Sequence, residues 1–204
     1  MGSDFIYTQD NFLTRGDCDA IIERFEKSNQ VRPGITKGGY NPKYKQQMEI
    51  DLVELGKNME ISISTKIKKL IGDYVTFLHG KGCDRGNVIS TNLNPRYISS
   101  SGCMIQKSGV GDFYRWHFDS NFGLDTRKNE VYNRLLSVIV YLNDMEEGCG
   151  GTTDFFAYGS VKPKCGKVLI FPATWDFLHR GKRVEKGYKY ILTTFIHAGN
   201  IHSQ

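Results

Sequence analysis

Tyr114-Arg115-Trp116-His117-Phe118-Asp119, answered downstream by Phe171-Pro172-Ala173-Thr174-Trp175-Asp176-Phe177-Leu178-His179 and then by Lys189, decides how this chain is read. A single residue separates His117 from Asp119, so on a β-strand both side chains leave the same face. No third ligand lies near them in sequence, so His179 has to arrive from a different strand. Two imidazoles and a carboxylate can grip one face of a metal octahedron and leave three positions open. That donor set suits iron(II), whereas a thiolate-rich set would favour zinc or an iron–sulfur cluster. Taken alone, the triad also fits zinc with three protein ligands and a water. With iron, a 2-oxo acid fills two open positions through its carboxylate and keto oxygens, and oxygen takes the third. A lysine beyond the ligands can then hold the far end of the acid.

The flanking segments read as strands. Residues 135–142 form an unbroken apolar, β-branched run with one serine, bounded by Arg134 and Asn143, as in a strand buried on both faces. Residues 168–171 form another, closed by Pro172. From 189 to 197 the chain alternates: Lys189, Ile191, Thr193 and Phe195 share one face, and Tyr190, Leu192, Thr194 and Ile196 share the other. A lysine on a face with Ile191 and Phe195 calls for a buried anionic partner.

Residues 111–119 (GDFYRWHFD), 134–143 (RLLSVIVYLN), 148–155 (GCGGTTDF), 161–172 (VKPKCGKVLIFP), 179–181 (HRG) and 187–195 (GYKYILTTF) follow one another with a characteristic order, spacing and set of glycine turns. Across 103–197 they resemble the prolyl 4-hydroxylase-type iron(II)/2-oxoglutarate dioxygenases. The resemblance implies an α+β, mainly β fold with a double-stranded β-helix (jelly-roll) core at about 97–200. It implies iron(II) at His117, Asp119 and His179, and 2-oxoglutarate bound through Lys189 and Tyr141, with Thr193 beside them. It also implies oxygen as co-substrate, ascorbate as an external reductant, and Tyr114 as a catalytic residue on the substrate side. On a regular strand Tyr114, three residues before His117, would point away from the metal, so its role requires a bend or bulge, for instance near Gly111.

Two positions depart from the family pattern. Many members carry a tyrosine nine residues before the first metal histidine, in contact with 2-oxoglutarate; here it is Ser108, which leaves that contact weaker or transfers it to a residue such as Tyr97. Many also carry a tryptophan six residues after the lysine; here it is Phe195. The reaction implied is hydroxylation of a prolyl residue in a peptide or protein. The alternatives are hydroxylation of another amino-acid side chain or of a small molecule and, in a different class, a catalytically inactive jelly-roll binding module. Nucleic acid is disfavoured as a substrate, because the related demethylases usually carry paired arginines after the second histidine where this chain has Lys189.

The chain of 204 residues suits a single domain, 1–204. Its net charge of +5, from 27 basic and 22 acidic residues, favours an acidic co-substrate without making a nucleic-acid footprint. Arg115, Arg180, Lys182, Arg183 and Lys186 flank the site in sequence and read as a solvated face. Cys18, Cys83, Cys103, Cys149 and Cys165 are odd in number and irregularly spaced. With no signal peptide and no apolar run of membrane length, they point to reduced thiols in a cytoplasmic protein without a membrane partner.

Ahead of the core, about 1–80, a helical layer is expected to pack on one sheet. Thr14-Arg15-Gly16-Asp17 resembles a capping box with Asp for Glu, followed by an apolar stripe of Ala20, Ile21, Ile22 and Phe25. A longer pattern from Leu52 to Leu78 predicts one helix over about 46–78, kinked near Gly56 or Gly72. Residues 33–44, 79–102 and 120–133 read as long mobile loops, the first two as cover for a peptide substrate.

Overall fold

The computed structural model describes residues 4–36, 39–83, 87–94, 98–120, 123–125, 130–132 and 134–198. The first part of the chain carries β1 (Tyr7–Gln9), α1 (Arg15–Lys27), β2 (Arg32–Pro33), β3 (Lys45–Gln46), β4 (Met48–Asp51), α2 (Leu52–Leu55), α3 (Lys57–Gly80) and α4 (Val88–Asn92). Then come β5 (Ile98–Ser100), β6 (Met104–Ser108), β7 (Phe113–His117), β8 (Gly123–Asp125), β9 (Glu130–Tyr132) and β10 (Arg134–Tyr141). The chain ends with β11 (Thr153–Phe155), β12 (Gly159–Val161), β13 (Val168–Pro172), β14 (His179–Gly181) and β15 (Lys189–Ala198). The major sheet runs β1-β13-β10-β15-β6-β4-β2, with β5 also on β15, and the minor sheet runs β12-β11-β14-β7-β3. All these pairings are antiparallel, the jelly-roll arrangement expected from the sequence.

The period of two in each central strand divides the core. Val138, Val140 and Leu142, with Val168, Ile170, Leu192 and Ile196, pack with Ile21, Phe25, Ile67, Leu70 and Tyr74 of α1 and α3. The alternate residues Ile139, Tyr141, Leu169, Phe171 and Ile191 turn inward and pack with Phe155 and Phe177. β10 and β13 are therefore covered on both faces, which is why their sequences are almost wholly apolar. The interior face of β15 carries Lys189, Ile191, Thr193 and Phe195 into the space between the sheets.

α1 begins at the expected cap. The Asp17 amide donates to Thr14 Oγ1 at 3.1 Å, and the Thr14 amide donates to Asp17 Oδ2 at 3.2 Å. Its buried stripe is Cys18, Ile21 and Phe25, with Ala20 and Ile22 half-buried beside it. The single helix over 46–78 is corrected. Residues 48–51 are a strand between β6 and β2, Gln46 belongs to β3, and only from Lys57 does the long helix run unbroken, through Gly72, to Gly80. Gly56 separates α2 from α3 with φ +152°, a conformation that stops a helix rather than bending it. The helical layer thus also lends edge strands to both sheets.

The three expected loops contain structure of their own. Thr36 and Gly39 bridge within 33–44; α4 and β5 lie within 79–102; β8 and β9 pair within 120–133. Parts of each loop, Tyr97 among them, lie outside the described residues. Among the described residues no helix is long and apolar enough to cross a membrane.

Candidate active site

β7 and β14 are neighbours in the minor sheet, and His117 stands directly opposite His179. Asp119, just past the end of β7, reaches both: its Oδ1 lies 3.5 Å from His117 Nε2 and its Oδ2 lies 3.4 Å from His179 Nε2. Two ligands at right angles, each about 2.1 Å from one ion, lie about 3 Å apart, so the set fits a single metal. Among the described residues this is the one such group of histidine, cysteine and carboxylate side chains. Each histidine is oriented by a carbonyl two residues earlier. His117 Nδ1 is 2.7 Å from Arg115 O, and His179 Nδ1 is 2.9 Å from Phe177 O. A carbonyl only accepts, so each Nδ1 carries the proton and each Nε2 turns its lone pair toward the shared centre. Burial alone would raise the pKa of Asp119. The imidazoles of His179 and His117 outweigh it, helped by Ser137 Oγ donating to Oδ2 at 2.6 Å, and hold the carboxyl well below its usual range. Burial pushes the pKa of His179 down to about 4, which keeps it a neutral donor at pH 7.

Across the cleft, on the major sheet, Lys189 is buried, and burial pushes its pKa down to about 8. The carboxylate of Asp154 opposes that shift but is already bonded to Arg180 Nε at 3.0 Å and to the hydroxyls of Thr152 and Ser160. Tyr141 is fully buried, and its hydroxyl donates to Thr153 Oγ1 at 2.7 Å. Thr153 lines the cleft. Thr193 lines the same wall as Lys189, Ile191 and Phe195. Ser108 is the β6 register partner of Lys189 and is buried beside it, too short to reach far into the space.

Tyr114 lies on the metal side of its strand. Between the pairs His179–His117 and Gly181–Tyr114 the chain takes two steps on β14 but three on β7, a bulge. The extra residue reverses the facing of Tyr114, whose ring stacks on His117 at 3.6 Å between centroids and 19° between planes. The irregularity falls within β7 itself, past Gly111. Burial, and next the Asp119 charge, raise the pKa of the Tyr114 phenol, so it stays protonated.

The sequence reading did not single out several residues that complete the cleft, which has a volume of about 740 Å³. Arg134 lies over the Phe195 ring, its Cζ 3.6 Å from the centroid, and donates to Asp119 O at 3.3 Å. Ser137 is the one polar residue in the apolar run 135–142, a signal that could have found it. Lys45, Gln47, Glu49 and Asp51 line one wall. Their alternation is a strand period, masked by the helical pattern that follows. Of the five flanking basic residues, Arg180 is tied to Asp154 and stacks over Trp116, and Arg183 stacks over Phe113; Arg115, Lys182 and Lys186 are exposed.

Residues 103–197 match the family model of the 2OG-Fe(II) oxygenase superfamily. This region belongs to that superfamily. The oxygenase thus takes Fe(II), 2-oxoglutarate and oxygen. No curated protein sequence matches it. Among solved structures it is similar to a viral collagen prolyl hydroxylase of Paramecium Bursaria Chlorella virus-1 in complex with 2-oxoglutarate, at 24% identity, 95% of this chain and 96% of that one, and a TM-score of 0.64. A prolyl hydroxylase of Trichoplax adhaerens, in complex with a hypoxia-inducible-factor peptide fragment, is 16% identical over 99% of this chain and 89% of that one, at TM-score 0.69. A Pseudomonas putida prolyl-4-hydroxylase is 17% identical over 94% and 92%, at 0.62. At these identities the likeness is one of fold.

Proposed function

We propose that the oxygenase hydroxylates a prolyl residue in a peptide or protein, with His117, Asp119 and His179 holding the iron and Lys189 pairing with the distal carboxylate of 2-oxoglutarate. The observation that carries this reading is the His-Asp-His set with both Nε2 atoms turned inward, facing a buried lysine whose nearest influential carboxylate is already engaged. Iron(II), when bound, couples the oxidative decarboxylation of 2-oxoglutarate to succinate with insertion of one oxygen atom into a substrate C–H bond.

The protein's own groups bind, orient and exclude water. The Nδ1–carbonyl bonds fix both rings, and Ser137 fixes Asp119. Lys189 offers an ammonium to a carboxylate in the cleft, with Thr153 near it as a hydroxyl partner and Thr193 farther along the same wall. Tyr114 covers one side of His117, and its protonated phenol can donate to a substrate carbonyl. A prolyl ring has no N–H to satisfy and an apolar surface to bury. The aromatic and aliphatic lining of Tyr114, Phe118, Ile139 and Phe195 suits it. The prolyl hydroxylases of similar fold point the same way.

In this reading the helices and the jelly roll act as one domain, supported by the continuous core that joins α1 and α3 to the major sheet. A reducing, cytoplasmic setting is supported by the five cysteines, none of them paired. Incubation with iron(II), 2-oxoglutarate and a panel of proline-containing peptides tests the substrate. Mass spectrometry should find one added oxygen atom on a prolyl residue. Succinate release with no proline-containing peptide modified would overturn the prolyl assignment.

A further inference from the structure

Residues 45–51 change sheets at the mouth of the cleft. Lys45, in β3, pairs with Tyr114 of β7 in the minor sheet, whereas Glu49, in β4, pairs with Gln106 of β6 in the major sheet. Four residues of extended chain span about 13 Å, yet Lys45 Nζ lies 2.9 Å from Glu49 Oε2. The two charges meet because the chain turns from one sheet to the other between them. Their side chains are only 7% and 2% exposed. Desolvation makes a buried ion pair a weak device for stability alone, so what else the pair grips matters.

It grips Ile35 by both backbone groups. Lys45 Nζ donates to Ile35 O at 3.1 Å, and the Ile35 amide donates to Glu49 Oε1 at 3.2 Å. Gly34 permits the close approach: a Cβ there would lie 2.9 Å from Gln47 Cγ and 3.0 Å from Glu49 Oε2. The Ile35 side chain is left 56% exposed, and Ile35 and Thr36 line the cleft. Lys45 Nζ also stands 5.4 Å from the centroid of the Tyr114 ring, the ring that stacks on His117.

Resting on the reading of this cleft as a prolyl hydroxylation site, we infer that Lys45 and Glu49 are a positioning pair that fixes Ile35 as an apolar rim for the substrate peptide. The two charges are spent on each other and on one backbone unit, so they act through Ile35 rather than by touching the substrate. A large aliphatic side chain left exposed beside a wall that is polar along 45–51 offers the substrate its apolar purchase there.

The test uses a proline–proline–glycine repeat peptide with three variants: Ile35→Ala, the pair replacement Lys45→Met with Glu49→Leu, and all three changes together. The pair replacement leaves no unpaired buried charge, and Ile35→Ala alters an exposed side chain, so folding is protected. Each of the first two should raise KM for the peptide by about tenfold while KM for 2-oxoglutarate stays within about twofold. The triple variant should be no worse than the pair replacement, because both changes remove the same rim. Amide hydrogen exchange at Ile35 should accelerate in the pair replacement and not in Ile35→Ala. An unchanged peptide KM, an equal rise in KM for 2-oxoglutarate, additive effects in the triple variant or unchanged exchange at Ile35 would each overturn the inference. No hydroxylation of the peptide by the wild-type protein would instead overturn the substrate reading and carry this inference with it.

Discussion

Lys189 lies between two opposed demands: burial disfavours its charge, and the anion it is proposed to hold requires that charge. In the free protein its pKa falls from 10.5 to about 8. Below about pH 8 the ammonium is present and KM for 2-oxoglutarate should be flat. Above it a proton must be taken up on binding, so KM should rise toward tenfold per pH unit. The same shift means that between about 8 and 10.5 the folded protein binds fewer protons than the unfolded chain, so the ligand-free protein gains stability as pH rises through that window. A pH profile of KM with no break near 8 would contradict the assignment. Lys189→Ala should cost about 3–5 kcal/mol of co-substrate binding, read as a rise of about two to four orders of magnitude in KM for 2-oxoglutarate. At this scale the residue types and spacings made it legible that His117, Asp119 and His179 meet and share a cleft with Lys189, because donor chemistry is written in side-chain identity. Ser137 and Arg134 were quoted as parts of a strand pattern, and their contacts with Asp119 depend on register, which one strand's sequence does not carry.

Strand period and glycine position decide the elements. Unbroken apolar runs marked β10 and β13, a period of two marked β15, and all three form the middle of the major sheet. The bulge in β7 was legible only as a requirement, since Tyr114 had to change faces; where it falls depends on pairing with β14. Residues 46–51 were misread because a helical stripe begins immediately after them and was extended backward. Pairing with β6 and β2 overrides that local preference. Gly56 is the boundary that keeps the two regimes apart. A Cβ at that φ would be strained and would lie 3.0 Å from Arg24 Nη1. Gly56→Ala should therefore lower stability by about 1–3 kcal/mol, measured by urea unfolding, without changing KM for 2-oxoglutarate. A neutral or stabilising change would show that the α2–α3 break tolerates an ordinary residue.

Across the whole molecule, the major sheet has two occupations. Its outer face is covered by α1 and α3; its inner face carries Lys189 and, with the minor sheet, encloses the cleft. Damage on the outer face should spread as lost stability rather than as altered chemistry. Leu70, almost wholly buried in the helix–sheet core, tests this: Leu70→Ala should cost about 2–5 kcal/mol and lower Tm by several degrees, with KM for 2-oxoglutarate unchanged below the transition. A changed KM with unchanged Tm would mean that the helices shape the site directly. The layering was legible from amphipathic stripes and apolar runs, whereas the route of 45–51 from one sheet to the other was not, because it is set by two partners distant in sequence. The central claim is that one His-Asp-His centre drives 2-oxoglutarate turnover. Its most direct test is iron(II)-dependent succinate formation by the wild-type protein and by His117→Ala, each first checked by circular dichroism for an intact fold. The account predicts succinate from the wild type and none above background from the variant; equal succinate from both would contradict it.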